Sequence, residues 1–155
     1  MRVLIVDDHR DVCLMHARVV RHMGHDVLCV EDPKEAIMEA KRFSPAVALI
    51  DLCLPEVDGW QLAEQLRADS STRHIRLVAI SALGGPYELL RSAQAGFERH
   101  FCKPVPIQRW REVLEGAAPA LRDRTEMRRR TSAVFLKPNA AATELDGSGP
   151  AKARR

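Results

Sequence analysis

Aromatic side chains are scarce, at 5% of the chain, with two Trp, one Tyr and four Phe. A core must therefore be assembled from Val, Leu, Ile and Ala. Cysteine occurs four times (Cys13, Cys29, Cys53, Cys102) and never as a CxxC pair. That spacing removes the usual zinc and dithiol signatures and leaves free thiols as the expected state. No apolar run is long enough for a signal peptide or a membrane span. The first such run, residues 3–6, is stopped by Asp7 and Asp8. A cytoplasmic protein with no membrane partner is expected. There is no GxGxxG or Walker sequence, so the common nucleotide fingerprints are missing. Nothing repeats at a fixed longer period.

The 155 residues suffice for one domain with a full core, and two complete domains would be cramped. The net charge of +3 is unevenly spread. Residues 119–155 hold nine Arg or Lys against four Asp or Glu, so this end carries +5 and leaves −2 for residues 1–118. The same end is rich in Ala, Pro, Gly, Ser, Thr and Arg. It reads as a basic, mostly disordered tail, with residues 133–136 its apolar part. Arg128, Arg129 and Arg130 could meet phosphates. No helix-turn-helix, ribbon or aromatic platform accompanies them, so a solvated linker is expected and no nucleic-acid partner.

Residues 1–118 alternate between two hydrophobic periods. Short apolar runs suited to buried parallel strands fall at 3–6, 27–30, 47–50, 77–80 and 98–102. Stretches of helical period separate them. Residues 11–23 place Val12, Met15, Val19 and Met23 on one face. Residues 34–43 follow Asp32 and Pro33, with Glu35 three after the Asp in a capping-box pattern. Residues 58–68 carry Leu62, Ala63 and Leu66. Pro86 opens 86–95, and Pro106 opens 106–117, which carries Ile107, Trp110, Val113 and Leu114. Five β-α units in succession imply a parallel sheet with helices on both faces.

Open α/β sheets bind ligands beyond the carboxyl ends of their strands. The first run ends at Asp7-Asp8, the third at Asp51, the fourth at Ser81 and the fifth at Lys103-Pro104. Taken singly, each is an ordinary cap or turn. Together they put three carboxylates, a hydroxyl and an ammonium on one rim. Two carboxylates about 4 Å apart repel by about 4 kcal/mol at an effective dielectric of ~20. Such a cluster calls for a cation or a raised pKa. Hard oxygen donors without a nearby His or Cys pair favour Mg²⁺, and open coordination positions suit a phosphoryl group.

The stretch Val3-Leu-Ile-Val-Asp-Asp8, the block Asp51-Leu-Cys-Leu-Pro-Glu-Val-Asp-Gly59, and the pairs Ile80-Ser-Ala82 and Lys103-Pro104 resemble the response-regulator receiver family over residues 1–118. The resemblance implies a flavodoxin-like (βα)5 fold with strand order 2-1-3-4-5. It implies Asp51 as phosphoacceptor, taking phosphoryl from the phosphohistidine of a sensor histidine kinase or histidine phosphotransfer protein. Asp8 would ligate Mg²⁺ directly and Asp7 mainly through water, with Asp51 and the backbone carbonyl of Cys53 completing the protein ligands. Ser81, the backbone of Ala82 and Lys103 would hold the phosphoryl group. A cis bond would precede Pro104. A downstream protein effector is implied, and pairing of two copies through helices 86–95 and 106–117. The chain would be a phosphoacceptor and not an enzyme.

Two departures stand out. The position three before the Lys, commonly Tyr or Phe as a rotameric switch, is His100. It reads either as a half-exposed residue on an edge strand or as a pH-sensitive switch. Cys53 and Leu83 are apolar where polar residues could assist water, so slow self-dephosphorylation is expected. The loop Leu83-Gly-Gly-Pro86 reads as a mobile connection. A haloacid-dehalogenase-type phosphatase would want a second Asp at position 53, which is Cys. A flavin site would want a Ser/Thr/Gly-rich phosphate loop where Asp7-Asp8-His9 stands. The remaining alternative is a degenerate receiver used as a phosphorylation-independent interaction module.

Overall fold

The computed structural model describes residues 1–116. The reading of 119–155 as a basic disordered tail lies outside those residues. Elements alternate along the chain as β1 (Arg2–Val6), α1 (Arg10–His22), β2 (Asp26–Val30), α2 (Ala36–Phe43) and β3 (Val47–Ile50). They continue as α3 (Gly59–Ala68), β4 (Arg76–Ser81), α4 (Pro86–Ala95), β5 (Arg99–Cys102) and α5 (Ile107–Leu114). The strands form one parallel sheet in the order β2-β1-β3-β4-β5, the flavodoxin-like arrangement. Among the described residues no helix is long and apolar enough to cross a membrane.

Each central strand feeds two cores, because successive side chains leave opposite faces of a sheet. Val3 and Ile5 of β1, Val47 and Leu49 of β3, and Val78 and Ile80 of β4 meet α1 and α5. Leu4, Val6, Ala48, Ile50, Leu77 and Ala79 meet α2 and α3, with Ala95 and Phe97. This double burial explains the unbroken Val/Leu/Ile runs. The edge strands β2 and β5 are only half buried.

Two local expectations are corrected. On α1 the buried stripe is Cys13, His16, Ala17 and Val20, while Met15 is 54% exposed. Val12 and Val19 lie at the margin of that stripe. Small and flat side chains let the helix approach the sheet closely, and the larger apolar ones are turned outward. The expected capping box at Asp32 does not form. Glu35 is the N-cap of α2, without a side-chain cap bond. Asp32 instead accepts the Lys34 amide at 2.9 Å, and its carbonyl accepts the Glu35 amide at 3.0 Å. These bonds close a turn before the helix starts. A true capping box stands at α3, where Asp58 accepts the Gln61 amide and Gln61 accepts the Asp58 amide.

Candidate functional site

The chain turns left from β1 to β2 and right from β3 to β5, so the loops after β1 and β3 diverge. The crevice between them is the switch point where such sheets place ligands. Ladder-type bonds carry the chain into it: the Asp7 amide donates to the Val30 carbonyl, the Asp51 amide to Val6 and the Lys103 amide to Ser81. The first residues past the strands are therefore held as firmly as the strands themselves.

Asp7 and Asp51 are 2% and 7% exposed. The Lys103 ammonium joins them, donating to Asp7 Oδ2 at 2.9 Å and to Asp51 Oδ2 at 2.7 Å. Burial alone would lower the Lys103 pKa, but these two carboxylates outweigh it and the group is held above its usual value. The second oxygens are also occupied. Asp7 Oδ1 accepts the His9 amide at 3.0 Å, and Asp51 Oδ1 accepts the Cys53 amide at 3.2 Å. The peptide bond between Lys103 and Pro104 is cis.

Asp8 differs from its neighbours. Its carboxylate is 26% exposed and meets no lysine; His9 Nδ1 stands 3.1 Å away. Asp7, Asp8 and His9 offer ligand atoms all within 4.8 Å of one another. His9 carries no metal-ligand signal in the sequence, where it is a single His beside two acids with no paired His or Cys. Asp51 is not part of that tight group and is joined to it through Lys103, which also bonds Asp7. Two buried carboxylates thus share one ammonium, and a third, Asp8, stands beside them at the open edge. Oxygen donors with surplus negative charge suit a small hard dication. The donor set therefore fits Mg²⁺, with Asp8 the most open ligand.

Ser81 is fully buried at the end of β4. Its hydroxyl oxygen accepts the Leu83 amide at 3.3 Å and lies 3.8 Å from the Cys53 thiol. Leu83 is also gripped from the other side, since its carbonyl accepts from His100 Nε2 at 2.7 Å. A carbonyl can only accept, so Nε2 carries the proton. His100 Nδ1 then accepts the Ser92 hydroxyl at 2.9 Å, and Ser92 Oγ accepts Trp60 Nε1–H at 2.9 Å. A chain of bonds runs from Ser81 through Leu83, His100 and Ser92 to Trp60 on α3. His100 is thus half buried and fully engaged. Ser92 and Trp60 carried no signal in the sequence beyond helical periodicity, because their pairing spans separate elements.

A family model for the response regulator receiver domain matches residues 3–115. Response regulator PleD of Caulobacter vibrioides is 29% identical over 159 residues, covering 96% of this chain and 33% of that protein. The chain therefore spans about a third of PleD's length. The polar-differentiation response regulator DivK of Brucella anthropi is 27% identical over 113 residues, covering 73% of this chain and 92% of its own. Among solved structures, the chemotaxis protein CheY4 of Vibrio cholerae shares the fold at TM-score 0.70 and 20% identity, over 76% of this chain and 98% of its own. The receiver domain of sensor histidine kinase PA1611 from Pseudomonas aeruginosa, described with a magnesium ion in its active-site cleft, has TM-score 0.65 and 27% identity, over 74% of this chain and 93% of its own. With fold, matched span and rim chemistry in agreement, the chain belongs to the response regulator receiver family of two-component systems.

Proposed function

We propose that this chain is a phosphoacceptor: Asp51 takes a phosphoryl group from the phosphohistidine of a sensor kinase or histidine phosphotransfer protein. The observation that carries the reading is the Lys103 ammonium bridging Asp7 and Asp51 at the mouth of the sheet. A carboxylate oxygen of Asp51 attacks phosphorus and the P–N bond of the donor breaks. The acceptor is stoichiometric and not an enzyme. Phosphoryl transfer asks the protein for alignment and charge neutralisation rather than covalent help. Lys103 supplies one positive charge and can pass from carboxylate to phosphoryl oxygen. Asp8, Asp7, Asp51 and the Cys53 carbonyl would hold Mg²⁺, which when bound neutralises the remaining charge on the equatorial oxygens. The Ser81 hydroxyl and the backbone of Ala82 would receive the new group's oxygens.

Phosphorylation adds roughly −1.5 to −2 charge to this rim. A Ser81 hydroxyl drawn toward it releases the Leu83 amide, and the His100–Leu83 bond is then strained. In this reading His100 takes the place of the aromatic switch, and the face of α4, β5 and α5 changes for a downstream effector or a second copy.

The test is incubation with acetyl phosphate and Mg²⁺, followed by intact mass, for the wild type and Asp51→Asn. A single phosphate adduct that requires Mg²⁺ and is lost in the variant is expected. Absence of an adduct with acetyl phosphate and with a panel of phosphorylated kinases would overturn the reading in favour of a phosphorylation-independent interaction module.

A further inference from the structure

Away from the acidic site, α1 and β2 bring two thiols together. Cys13 lies on the inner face of α1 and is fully buried. Cys29 lies on β2, in register with Ile5 of β1, and is only half buried because β2 is an edge strand. The Cys29 thiol points at the Cys13 carbonyl, 3.5 Å away, and the Cys13 thiol at the Ile5 carbonyl, 3.9 Å away. The two thiols are near enough that each shifts the other's ionisation. They stand sixteen positions apart in the chain, so no spacing motif announces the pair.

The contact makes the two sulfurs unequal. Cys13 is pushed up, first by sharing its proton with Cys29 and then by burial. Cys29 is drawn down, because the Cys13 thiol donates to it and Arg21 adds positive potential, against burial, Glu31 and Asp7. A partly exposed thiol with a donor and a cation beside it is the reactive kind, while a buried neutral one is inert until a partner sulfur is activated.

We propose that Cys13 and Cys29 are a redox pair that closes to a disulfide when a hydroperoxide reaches the β2 edge. The Cys29 thiolate attacks a peroxide oxygen and the O–O bond breaks. Cys29 becomes a sulfenic acid, and the departing alkoxide takes a proton from solvent to leave as an alcohol, or as water from hydrogen peroxide. Cys13 then attacks the sulfenyl sulfur. Its proton leaves with the displaced hydroxide as water. Two thiols are oxidised by two electrons and one hydroperoxide is reduced. A thiol reductant restores the pair. The bond would tie α1, which begins just after Asp8, to the edge strand. The proposal does not depend on phosphorylation of Asp51.

Cys53 and Cys102 are more exposed and are the competing targets. The test treats the reduced full chain with equimolar hydrogen peroxide, then reads intact mass and a tryptic map without reduction. The expected result is a loss of about 2 Da and a linkage between peptides 11–18 and 22–34, reversed by dithiothreitol. The linkage persists in a Cys53→Ser/Cys102→Ser variant and is lost in Cys29→Ser. The wild-type map stands even if the last variant folds poorly. Peroxide-treated protein in which Cys13 and Cys29 are both still alkylated by N-ethylmaleimide after denaturation would overturn the proposal. So would a linkage that joins Cys53 or Cys102 instead.

Discussion

His16 sits on the inner face of α1 at 6% exposure, its ring tilted against Trp110 with centroids 5.1 Å apart. Burial first, and then the Lys103 charge, hold it below its ordinary value of 6.5, with Asp7 and Asp51 pulling the other way. The unfolded chain binds a proton as pH falls through 6.5, and the folded chain does not until a lower pH. Stability from this residue is therefore full above the unfolded value and declines as pH falls below it. Urea midpoints at pH 7.5 and 5.5 should show that decline, and His16→Leu should flatten it. Equal slopes for both proteins would show that the ring does not titrate as placed.

The two ring nitrogens of His100 connect different parts of the molecule, Ser92 on α4 and the Leu83 carbonyl. If the Ser92–His100–Leu83 chain acts as a unit, His100→Phe and Ser92→Ala should each cost about 1–3 kcal/mol, from buried groups left unpaired. The double variant should cost less than the sum, by about 0.5 kcal/mol or more. Additive costs in a chemical-denaturation cycle would mean that the bonds stand independently.

At the scale of elements, the close approach of α3 to the Asp51 loop constrains the site. A Cβ at Gly59 would meet the Asp51 carbonyl oxygen and come within 2.8 Å of Leu52 Cα, both backbone atoms that cannot swing away. The Gly59 amide donates to the Leu52 carbonyl at 3.1 Å, which locks the same geometry. Gly59→Ala should therefore destabilise by about 1–3 kcal/mol, read by denaturation, and should slow acetyl-phosphate labelling by displacing Asp51. An alanine variant of full stability would show that the loop can give. The same helix is anchored by the Asp58 capping box, and Arg91 reaches across from α4 to bond Asp58 and cover the Trp60 ring.

For the whole molecule, the surplus of carboxylates over ammonium in the crevice links folding to cation binding. A dication that binds the folded chain alone stabilises it by mass action. Millimolar Mg²⁺ should raise the melting temperature in thermal unfolding, and Asp8→Ala should remove most of the rise while leaving the metal-free fold intact. An unchanged melting temperature in the wild type would count against the donor set assigned here.

The alternation of apolar runs with helical stretches was enough to specify the class, the order of elements and the rim on which Asp7, Asp8, Asp51, Ser81 and Lys103 gather. Strand burial on both faces leaves continuous Val/Leu/Ile runs, and the chemistry of a parallel sheet sits at its strand ends. What the sequence left undecided depends on contacts between distant segments. Helical period identifies an amphipathic stripe on α1, whereas closeness to the sheet selects its small and flat members, Cys13, His16, Ala17 and Val20. Asp32 closes a turn instead of capping α2, and sequence does not separate the two because a cap and a preceding turn use the same residue types. The engagement of His100 with Ser92 and Leu83, the burial of His16 under Trp110 and the meeting of Cys13 with Cys29 are products of packing. No local pattern encodes which side chains two neighbouring elements will press together, and only the closed tertiary structure decides it.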